Sequence, residues 1–368
     1  MSKNGQIEFA CLEFQQPIGQ FYIGTILAKD LFEISYADIR RIEHNDLDKI
    51  LGIQRELSRS RVKELKQYVH TVDASFPTSI ILAIDPQNAS YNPTTKTMKV
   101  ERSKNVAKII DGQHRIAGLE DYNGPEFELN VTIFVDMDLE DQALLFATIN
   151  LKQTRVSKSL AYDLFEFATS RSPQKTCHNI AKLLNSKEGS PFNRKIKILG
   201  TATGQPNETL TQAGFVDVLM SYISTNPMLD RDLIKRGDLK HLKRASNTEE
   251  RRLVFRNMFI DERDAEIARV IWNFFEAVSN RWPEAWQIKK PSNILNRTMG
   301  YRALMRILPH AYFQVSQPGK VPSTSQFGTI FEKIQLKESD FSSDKYNPGS
   351  SGESGLYQDL LKQSGLAD

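Results

Sequence analysis

The sequence predicts the α/β class, as a mixed α+β domain followed by an α-helical domain. Up to about residue 168, short apolar or alternating segments typical of strands are interleaved with segments of helical period. Beyond that point the apolar residues recur mainly at helical spacing. We therefore place two domains at residues 1–168 and 169–336, and a flexible Ser/Gly-rich tail with a short terminal helix at residues 337–368.

The spacing of apolar residues also predicts the strands and helices of the first domain. Residues 19–35 alternate apolar and polar side chains and predict one or two strands. Residues 58–72 carry apolar side chains at helical spacing and predict an amphipathic helix capped by Ser58 or Ser60. The run from Ile80 to Ile84 predicts a buried strand, and the order of elements along the domain is β-α-β-β-α-β-α.

Composition limits the classes of protein that fit. With 40% hydrophobic and 25% charged residues the chain is globular, and its net charge of only +3 means that nucleic acid would have to be held by local basic clusters. The two cysteines are far apart, which predicts buried reduced thiols and excludes a disulfide framework. No segment is apolar enough for a signal peptide or a membrane span, which predicts a cytoplasmic protein without membrane contact.

Polar and titratable side chains are most concentrated in the quintet Asp111-Gly112-Gln113-His114-Arg115, which lies between a predicted strand and a predicted helix. A glycine at that junction lets the backbone turn, and the free N–H groups of the first helical turn can face an anion. His114 and Arg115 add donor side chains beside those amides. The combination fits a phosphate of a nucleotide or of DNA.

The quintet also fits a turn with no chemical role. Asp111 ends the strand, where it can hold a metal, orient His114 or cap the helix, and the sequence fixes no second carboxylate beside it. In the structural interpretation Asp111 caps the helix and Arg115 pairs with Glu120 or Asp121 on the surface. The residues alone leave both interpretations open.

Two basic segments are candidates for DNA contact. Lys152, Arg155 and Lys158 lie in an acid-free run between two predicted helices. Residues 231–252 contain eight Lys or Arg residues and fewer acids, and we take their candidate DNA-binding side chains to be Lys235, Arg236, Lys240, Lys243 and Arg244. Each segment equally fits an ordinary solvated surface.

Common enzyme signatures are missing from the sequence. It contains no phosphate-binding GxxxxGK[ST] loop, no GxSxG elbow and no HExxH pair. Apart from His114, the histidines, His178 among them, are scattered and predict surface or packing residues. The aromatic residues between Trp272 and Trp286 predict a helical core rather than a base-stacking platform.

One stretch resembles a known family. The segment "IIDGQHRIAGL" resembles the defining motif of the DGQHR-domain family, which includes the DndB proteins associated with bacterial DNA phosphorothioation. Four flanking blocks follow in the order expected of that family and extend the resemblance over most of residues 50–310: "IQRELSRSRVKELKQYV", "FPTSIILAI", "LFATINLKQTRVSKSLAYDLFE" and "LNRTMGYRALMRIL".

The resemblance implies a fold distantly similar to ParB and sulfiredoxin, in which a strand-to-helix turn binds nucleotide phosphates. By that resemblance the nucleotide or phosphate site is lined by Gly112, Gln113 and Arg115, joined by Gln54, Arg55 and Asn150. The ligand it implies is ATP or another nucleotide.

The function implied by the resemblance is a DNA-binding regulator of transcription in a DNA-modification or antiphage-defence system. The alternative is a ParB-like nucleotide hydrolase or DNA-nicking enzyme in which Asp111, His114 and Arg115 are catalytic, with a divalent metal left open. The implied partners are DNA, other proteins of the modification or defence cluster, and a second copy of the chain.

Overall fold

The chain divides into two compact units, Met1–Gln153 and Thr154–Asp368. The computed structural model describes residues 5–37, 41–43, 46–51, 57–72, 74–151, 158–200, 207–287 and 292–366. The first unit contains a large sheet with helices and the second is mainly helical, which confirms the predicted fold class. The expected boundary at residue 168 lies inside the second unit, because the helix that begins at Lys158 packs against the helices that follow it.

The first unit is organised around one sheet. Its described elements are β1 Gln6–Gln16, β2 Gly19–Leu27, α1 Ala28–Ile34, β3 Ser35–Tyr36, β4 Arg41–Glu43, β5 Asp46–Leu51, α2 Arg59–Tyr68, β6 Ile80–Ile84, β7 Ala89–Asn92, β8 Thr97–Glu101, β9 Ala107–Asp111, α3 Gln113–Leu119, β10 Glu128–Val135 and α4 Leu139–Leu151. Eight strands form the large sheet in the order β3-β9-β6-β10-β2-β1-β8-β7, and β4 pairs with β5 separately.

The sheet is mixed, and this places β9 in its interior. β6 pairs with β10 and β3 with β9 in parallel, whereas β9 runs antiparallel to β6. The register between β6 and β9 shifts at Ile81 and Leu82, so that Asp111 at the end of β9 lies opposite Ile81. The quintet therefore leaves the sheet at a strand that is paired on both sides.

Both faces of this part of the sheet are covered, which explains the apolar runs. Ile80, Leu82, Ile84 and Ile109 are almost fully buried in the core of the unit, and the predicted strand at 80–84 is confirmed. The segment at 28–34, expected to continue a strand, is instead the helix α1, because its Ala28, Leu31 and Ile34 are buried at helical spacing.

The helices α2 and α3 meet at a glycine. A β-carbon on Gly118 would lie 2.6 Å from the β-carbon of Leu65, so only glycine allows the two helices to approach this closely. α2 ends at Tyr68 and begins after Ser58, one of the two predicted caps, but the hydroxyl of Ser58 makes no capping hydrogen bond. Val72, predicted on its buried face, lies beyond the helix and is exposed.

The second unit is a set of helices around an aromatic core. Its described elements are α5 Lys158–Asp163, α6 Pro173–Ser186, β11 Ile196–Lys197, β12 Leu210–Thr211, α7 Gln212–Ser221, α8 Pro227–Lys235, α9 Arg256–Ile260, α10 Asp264–Arg281, α11 Pro283–Gln287, α12 Thr298–Val315, α13 Thr324–Phe331 and α14 Ser350–Ser364, with short 3-10 turns at Leu164–Phe167, Leu239–His241 and Glu338–Asp340.

Aromatic side chains fill the core of this unit, as predicted. Phe275 packs against Trp286 and Tyr301 with ring centroids 5.1 and 5.4 Å apart. The indole N–H of Trp286 donates to the carbonyl of Pro191, and that of Trp282 donates to the carbonyl of Leu336, both at 2.8 Å. These rings are therefore structural, since their faces and their only donors are used inside the fold.

The C-terminal segment ends in a helix, as predicted, but this helix begins within the Ser- and Gly-rich stretch that was expected to be a loop. Its Ser- and Gly-rich start forms the first turns of α14, which packs against α12. Leu356 and Leu360 are fully buried, and Tyr346 donates to Asp359 at 2.7 Å. Tertiary packing thus forms a helix from a composition that by itself favours a loop.

Cys11 and Cys177 are buried free thiols, as predicted. Burial raises the pKa of Cys11 to about 11 and also raises the pKa of Cys177 well above its ordinary value, so both thiols stay protonated near neutral pH. Within the described ranges no helix is long and apolar enough to cross a membrane.

Lys195 is a lysine in an apolar setting, just before β11. Its side chain is buried, with the residue 4% exposed, and its ammonium donates to the carbonyl of Gln287 at 3.3 Å. Burial lowers the pKa of Lys195 to about 8, because the charged form is poorly solvated there. Charge on this lysine opposes folding.

We therefore expect Lys195→Met to stabilise the second unit at pH 7. The pKa of Lys195 is about 8 in the folded chain and 10.5 ordinarily, so the charged form costs about 3 kcal/mol below pH 8. Between pH 8 and 10.5 the unfolded chain holds the extra proton, so wild-type stability rises with pH and the advantage of the variant disappears.

Denaturation followed by tryptophan fluorescence measures this, because all three tryptophans lie in the second unit. Lys187→Met, at an exposed lysine of the same unit, is the matched control and should change stability little at any pH. A gain for Lys195→Met that does not decline between pH 8 and 10.5 would contradict the burial argument.

Candidate functional site

The DGQHR quintet forms a strand-to-helix turn, as predicted. Asp111 is the last residue of β9, Gly112 is the N-cap and α3 starts at Gln113. Gly112 has φ +103°, a backbone conformation that residues with a β-carbon rarely adopt. A β-carbon there would also lie 2.9 Å from Cγ1 of Ile80. Glycine is required at this position for both reasons.

Arg115 ties the turn to the start of β6. Its Nη2 donates to Oδ2 of Asp111 at 2.9 Å and to the carbonyl of Ser79 at 3.1 Å. Its Nη1 donates to the hydroxyl of Thr78 at 2.8 Å and to the carbonyl of the same residue. A guanidinium carries four N–H groups on these two nitrogens, so all four are directed at protein acceptors. We call this set of bonds the Arg115 clamp.

The structure shows which carboxylate pairs with Arg115. The partner is Asp111, one helical turn earlier, and both side chains are mostly buried, at 15% and 25% exposure. Glu120 and Asp121 instead contact Lys66 of α2. Burial lowers the pKa of Arg115, the charge of Asp111 opposes that shift, and Arg61 adds to it by repulsion. Asp111 is therefore the counterion of a desolvated guanidinium.

His114 and Gln113 point into the protein, since each is only 8% exposed. The backbone N–H of Ser58 donates to Nε2 of His114 at 3.0 Å. A ring nitrogen that accepts a hydrogen bond carries no proton, so the proton of the neutral imidazole is on Nδ1. His114 thereby connects α3 to the residue that precedes α2.

Three predicted members of the site cannot be placed beside the quintet. Gln54 and Arg55 lie outside the described residues, and Asn150 lies in α4 with its side chain outside the described part. Their convergence on the turn stays a prediction. The partners that sequence reasoning missed, Thr78, Ser79 and Ser58, contribute mainly backbone groups, which every residue possesses and no motif reveals.

A cleft of about 730 Å³ lies elsewhere in the same unit. Aromatic side chains, among them Phe76, Tyr122 and Phe127, wall it together with Glu126 and Glu128. None of the five quintet residues lines this cleft, and its two carboxylates do not suit a phosphate ligand.

One known family matches the part of the chain that contains this turn. The family model DndB, described as DNA-sulfur modification-associated, matches residues 9–185. Residues 9–185, just under half of the chain, are therefore similar to this family, and we call them the DndB-family region. No curated protein and no solved structure shows a significant match to the chain. The match links the protein to DNA-sulfur modification, whereas the ParB-like fold stays a prediction.

The DndB-family region includes the described core of the first unit except Ile7, and it extends into α6. The basic segment at residues 231–252 lies outside it. The family match therefore carries no information on that segment.

The predicted DNA-binding residues of the basic segment all lie on the surface. The exposed side chains are those of Lys235, Arg236, Lys240, Lys243 and Arg244, and Arg251 and Arg252 are exposed as well. Arg244 is engaged by Asp261 through two hydrogen bonds of 2.6 and 2.9 Å. The charge of Arg244 is thus partly neutralised, while Lys240 and Lys243 lie on the connection between α8 and α9.

A buried ion pair holds the base of this segment. Arg256 in α9 and Asp230 in α8 are each 6% exposed and form a two-pronged pair, with the Nη2–Oδ1 bond at 3.1 Å. Nε of Arg256 also donates to the carbonyl of Lys243 at 2.8 Å. The segment between α8 and α9 is therefore held at both ends and at Lys243. The basic segment is residues 231–252 throughout.

The second predicted basic cluster is only partly described. Lys152 and Arg155 lie outside the described residues. Lys158 is exposed at the start of α5, and its ammonium lies 3.4 Å from Asp217. An exposed pair of this kind contributes little and leaves the lysine accessible.

We expect Arg115→Lys to destabilise the first unit by about 2 kcal/mol. One ammonium cannot reproduce the planar set of four bonds, and it leaves the partly buried acceptors at Ser79 and Asp111 short of donors. Hydrogen exchange of peptides covering residues 107–119 measures the loss locally. Arg102→Lys is the matched control: Arg102 pairs with Asp30 and Glu33 at 2.6 and 2.7 Å but is more exposed, so its loss should be about 1 kcal/mol or less. Equal losses would rule out the clamp as a special constraint.

Proposed function

We propose that this protein is a DNA-binding regulator in a bacterial DNA-modification or defence system, and that the basic segment is its main contact with DNA. The DndB-family region supplies the link to DNA-sulfur modification. The observation that carries the DNA contact is the group of exposed cations on a segment held by the buried pair of Asp230 and Arg256. Its implied partners are DNA and other proteins of the modification gene cluster.

The electrostatics of the chain favour a local contact. With a net charge of only +3, the protein has no general basic coat to attract DNA. Lysines such as Lys240 and Lys243 can each replace a counterion at one phosphate. A segment held in one conformation loses less entropy when it binds than a mobile one does. Contacts of this type set affinity and position, and contribute no base recognition by themselves.

The double variant Lys240→Ala/Lys243→Ala tests this contact. We expect weaker binding to duplex DNA and a slope of log K against log salt that is smaller by up to about 2, one unit for each lost phosphate contact. Fluorescence anisotropy over a series of salt concentrations measures both quantities. The control variant Lys333→Ala/Lys362→Ala removes the same charge from exposed positions outside the basic segment and should leave the slope unchanged.

Two results would overturn the proposal. The first is a wild-type protein that binds no duplex DNA even at low salt, where phosphate contacts are strongest. The second is an equal change of slope in both double variants, which would show that only net charge matters.

A second candidate function is a nucleotide or phosphate site at the DGQHR turn, with or without hydrolysis. Its support is the resemblance of the motif and the positive φ of Gly112 at the start of α3. A phosphate there has to displace at least one acceptor of the Arg115 clamp, at a cost of about 1 kcal/mol for each bond that is lost. We therefore propose weak binding at this turn, subordinate to DNA binding by the basic segment.

Thermal denaturation with ATP, CTP and GTP tests the second candidate. Binding would raise the melting temperature by an amount that grows with nucleotide concentration. We expect this ligand-dependent shift, rather than the melting temperature itself, to be reduced in Arg115→Lys. If no nucleotide shifts the wild type, the turn is only structural. If phosphate is released at equal rates by wild type, Asp111→Ala and His114→Ala, the hydrolase form of the proposal fails.

A further inference from the structure

A buried group of two carboxylates and one imidazole lies in the second unit, apart from the sites described above. Asp163 is the last residue of α5, Glu166 lies in the following 3-10 turn and His178 lies in α6. One ligand atom from each residue lies within 4.8 Å of the other two. Asp163 and His178 are fully buried, and the side chain of Glu166 is 33% exposed.

The way the chain folds explains why these three side chains meet. Asp163 and Glu166 are three residues apart on a helical turn, so their side chains lie on the same side. The start of α6 is fixed by the hydroxyl of Ser172, which accepts from the N–H of Lys175 at 3.1 Å. α6 packs against both α5 and the 3-10 turn, and this brings His178 to the carboxylates.

We propose that Asp163, Glu166 and His178 bind a divalent first-row transition-metal ion. Two carboxylate oxygens and an imidazole nitrogen suit Zn²⁺, Mn²⁺ or Fe²⁺, whereas Ca²⁺ and Mg²⁺ are bound almost entirely through oxygen. Three protein ligands leave one position of a tetrahedral site for water. Glu166 is the one partly exposed ligand, so the ion enters and leaves past its side chain.

Lys182 affects how tightly this site can bind an ion. Its ammonium lies 2.6 Å from Oε1 of Glu166, so it competes with an ion for that carboxylate. In a tetrahedral site with bonds of about 2 Å the ligand atoms lie about 3.3 Å apart, closer than the 4.8 Å limit within which these three lie. In the bound state the carboxylate of Glu166 therefore turns from Lys182 toward Asp163 and His178. The metal ion and the ammonium of Lys182 then cannot hold this carboxylate at the same time.

The bound ion joins α5, the 3-10 turn and α6. These elements lie in the second unit, and the three ligands fall within the DndB-family region at residues 9–185. The ion therefore stabilises the fold of this part of the chain. Nothing in this inference depends on DNA binding by the basic segment.

The experiment is a Zn²⁺ titration of the full-length chain after treatment with a chelator, with stoichiometry from elemental analysis and affinity from competition with a chromogenic chelator. We expect one equivalent of Zn²⁺ and a higher melting temperature in its presence. Glu166→Gln should weaken binding about tenfold or more, and it keeps a side chain of the same size at a partly exposed position.

Lys182→Met separates a metal site from a plain ion-pair network. It should tighten Zn²⁺ binding about tenfold, because it removes the cation that competes for Glu166. Asp238→Asn is the matched control. It removes the carboxylate of the exposed pair between Asp238 and His241, which are 2.7 Å apart, and should alter neither stoichiometry nor affinity.

Absence of stoichiometric Zn²⁺ from wild type and from Lys182→Met would overturn the proposal, since both forms keep all three ligands. Zn²⁺ that binds equally to wild type and Glu166→Gln but less to Asp238→Asn would place the ion at the surface pair and would also overturn it. Mn²⁺ and Fe²⁺ titrations under anaerobic conditions then rank the ions for the wild-type site.

Discussion

The first unit depends on one constraint: the chain must leave a strand paired on both sides and enter a helix within a single residue. Gly112 makes this turn with φ +103°. The Arg115 clamp then joins the first turn of α3 to Asp111 behind it and to the residues that lead into β6. β6 and β9 are neighbours in the sheet, so the clamp holds the adjoining ends of these two strands together as well as the start of α3.

This explains why acid, glycine, imidazole and guanidinium occur within five consecutive positions. Asp111 neutralises a desolvated cation, Gly112 allows the backbone to turn, and His114 accepts a hydrogen bond from the residue that precedes α2. Each side chain therefore has a structural partner within the unit. A motif that looks like a reaction centre in sequence can be required for folding, and its residues then report on stability when they are mutated.

In the second unit, buried charge is arranged differently. The pair of Asp230 and Arg256 is held inside the fold and positions the backbone of a segment whose other cations face water. A buried pair of this type contributes uncertain net stability but strongly disfavours other conformations, because separation of its partners leaves a charge without compensation. Fixed geometry and exposed charge are the two properties that a phosphate-binding surface needs.

The amino-acid sequence by itself determined the class of fold, the strand at Ile80–Ile84, the helix after Ser58 and the turn at Gly112, because these follow from local period and backbone sterics. Only the tertiary structure decided that Arg115 binds the carbonyls of Thr78 and Ser79, that the terminal helix begins as early as Ser350 and that His178 lies beside Asp163 and Glu166. Each of these depends on contacts between segments distant in the chain, or on backbone carbonyls that every residue has, and neither leaves a mark in local sequence.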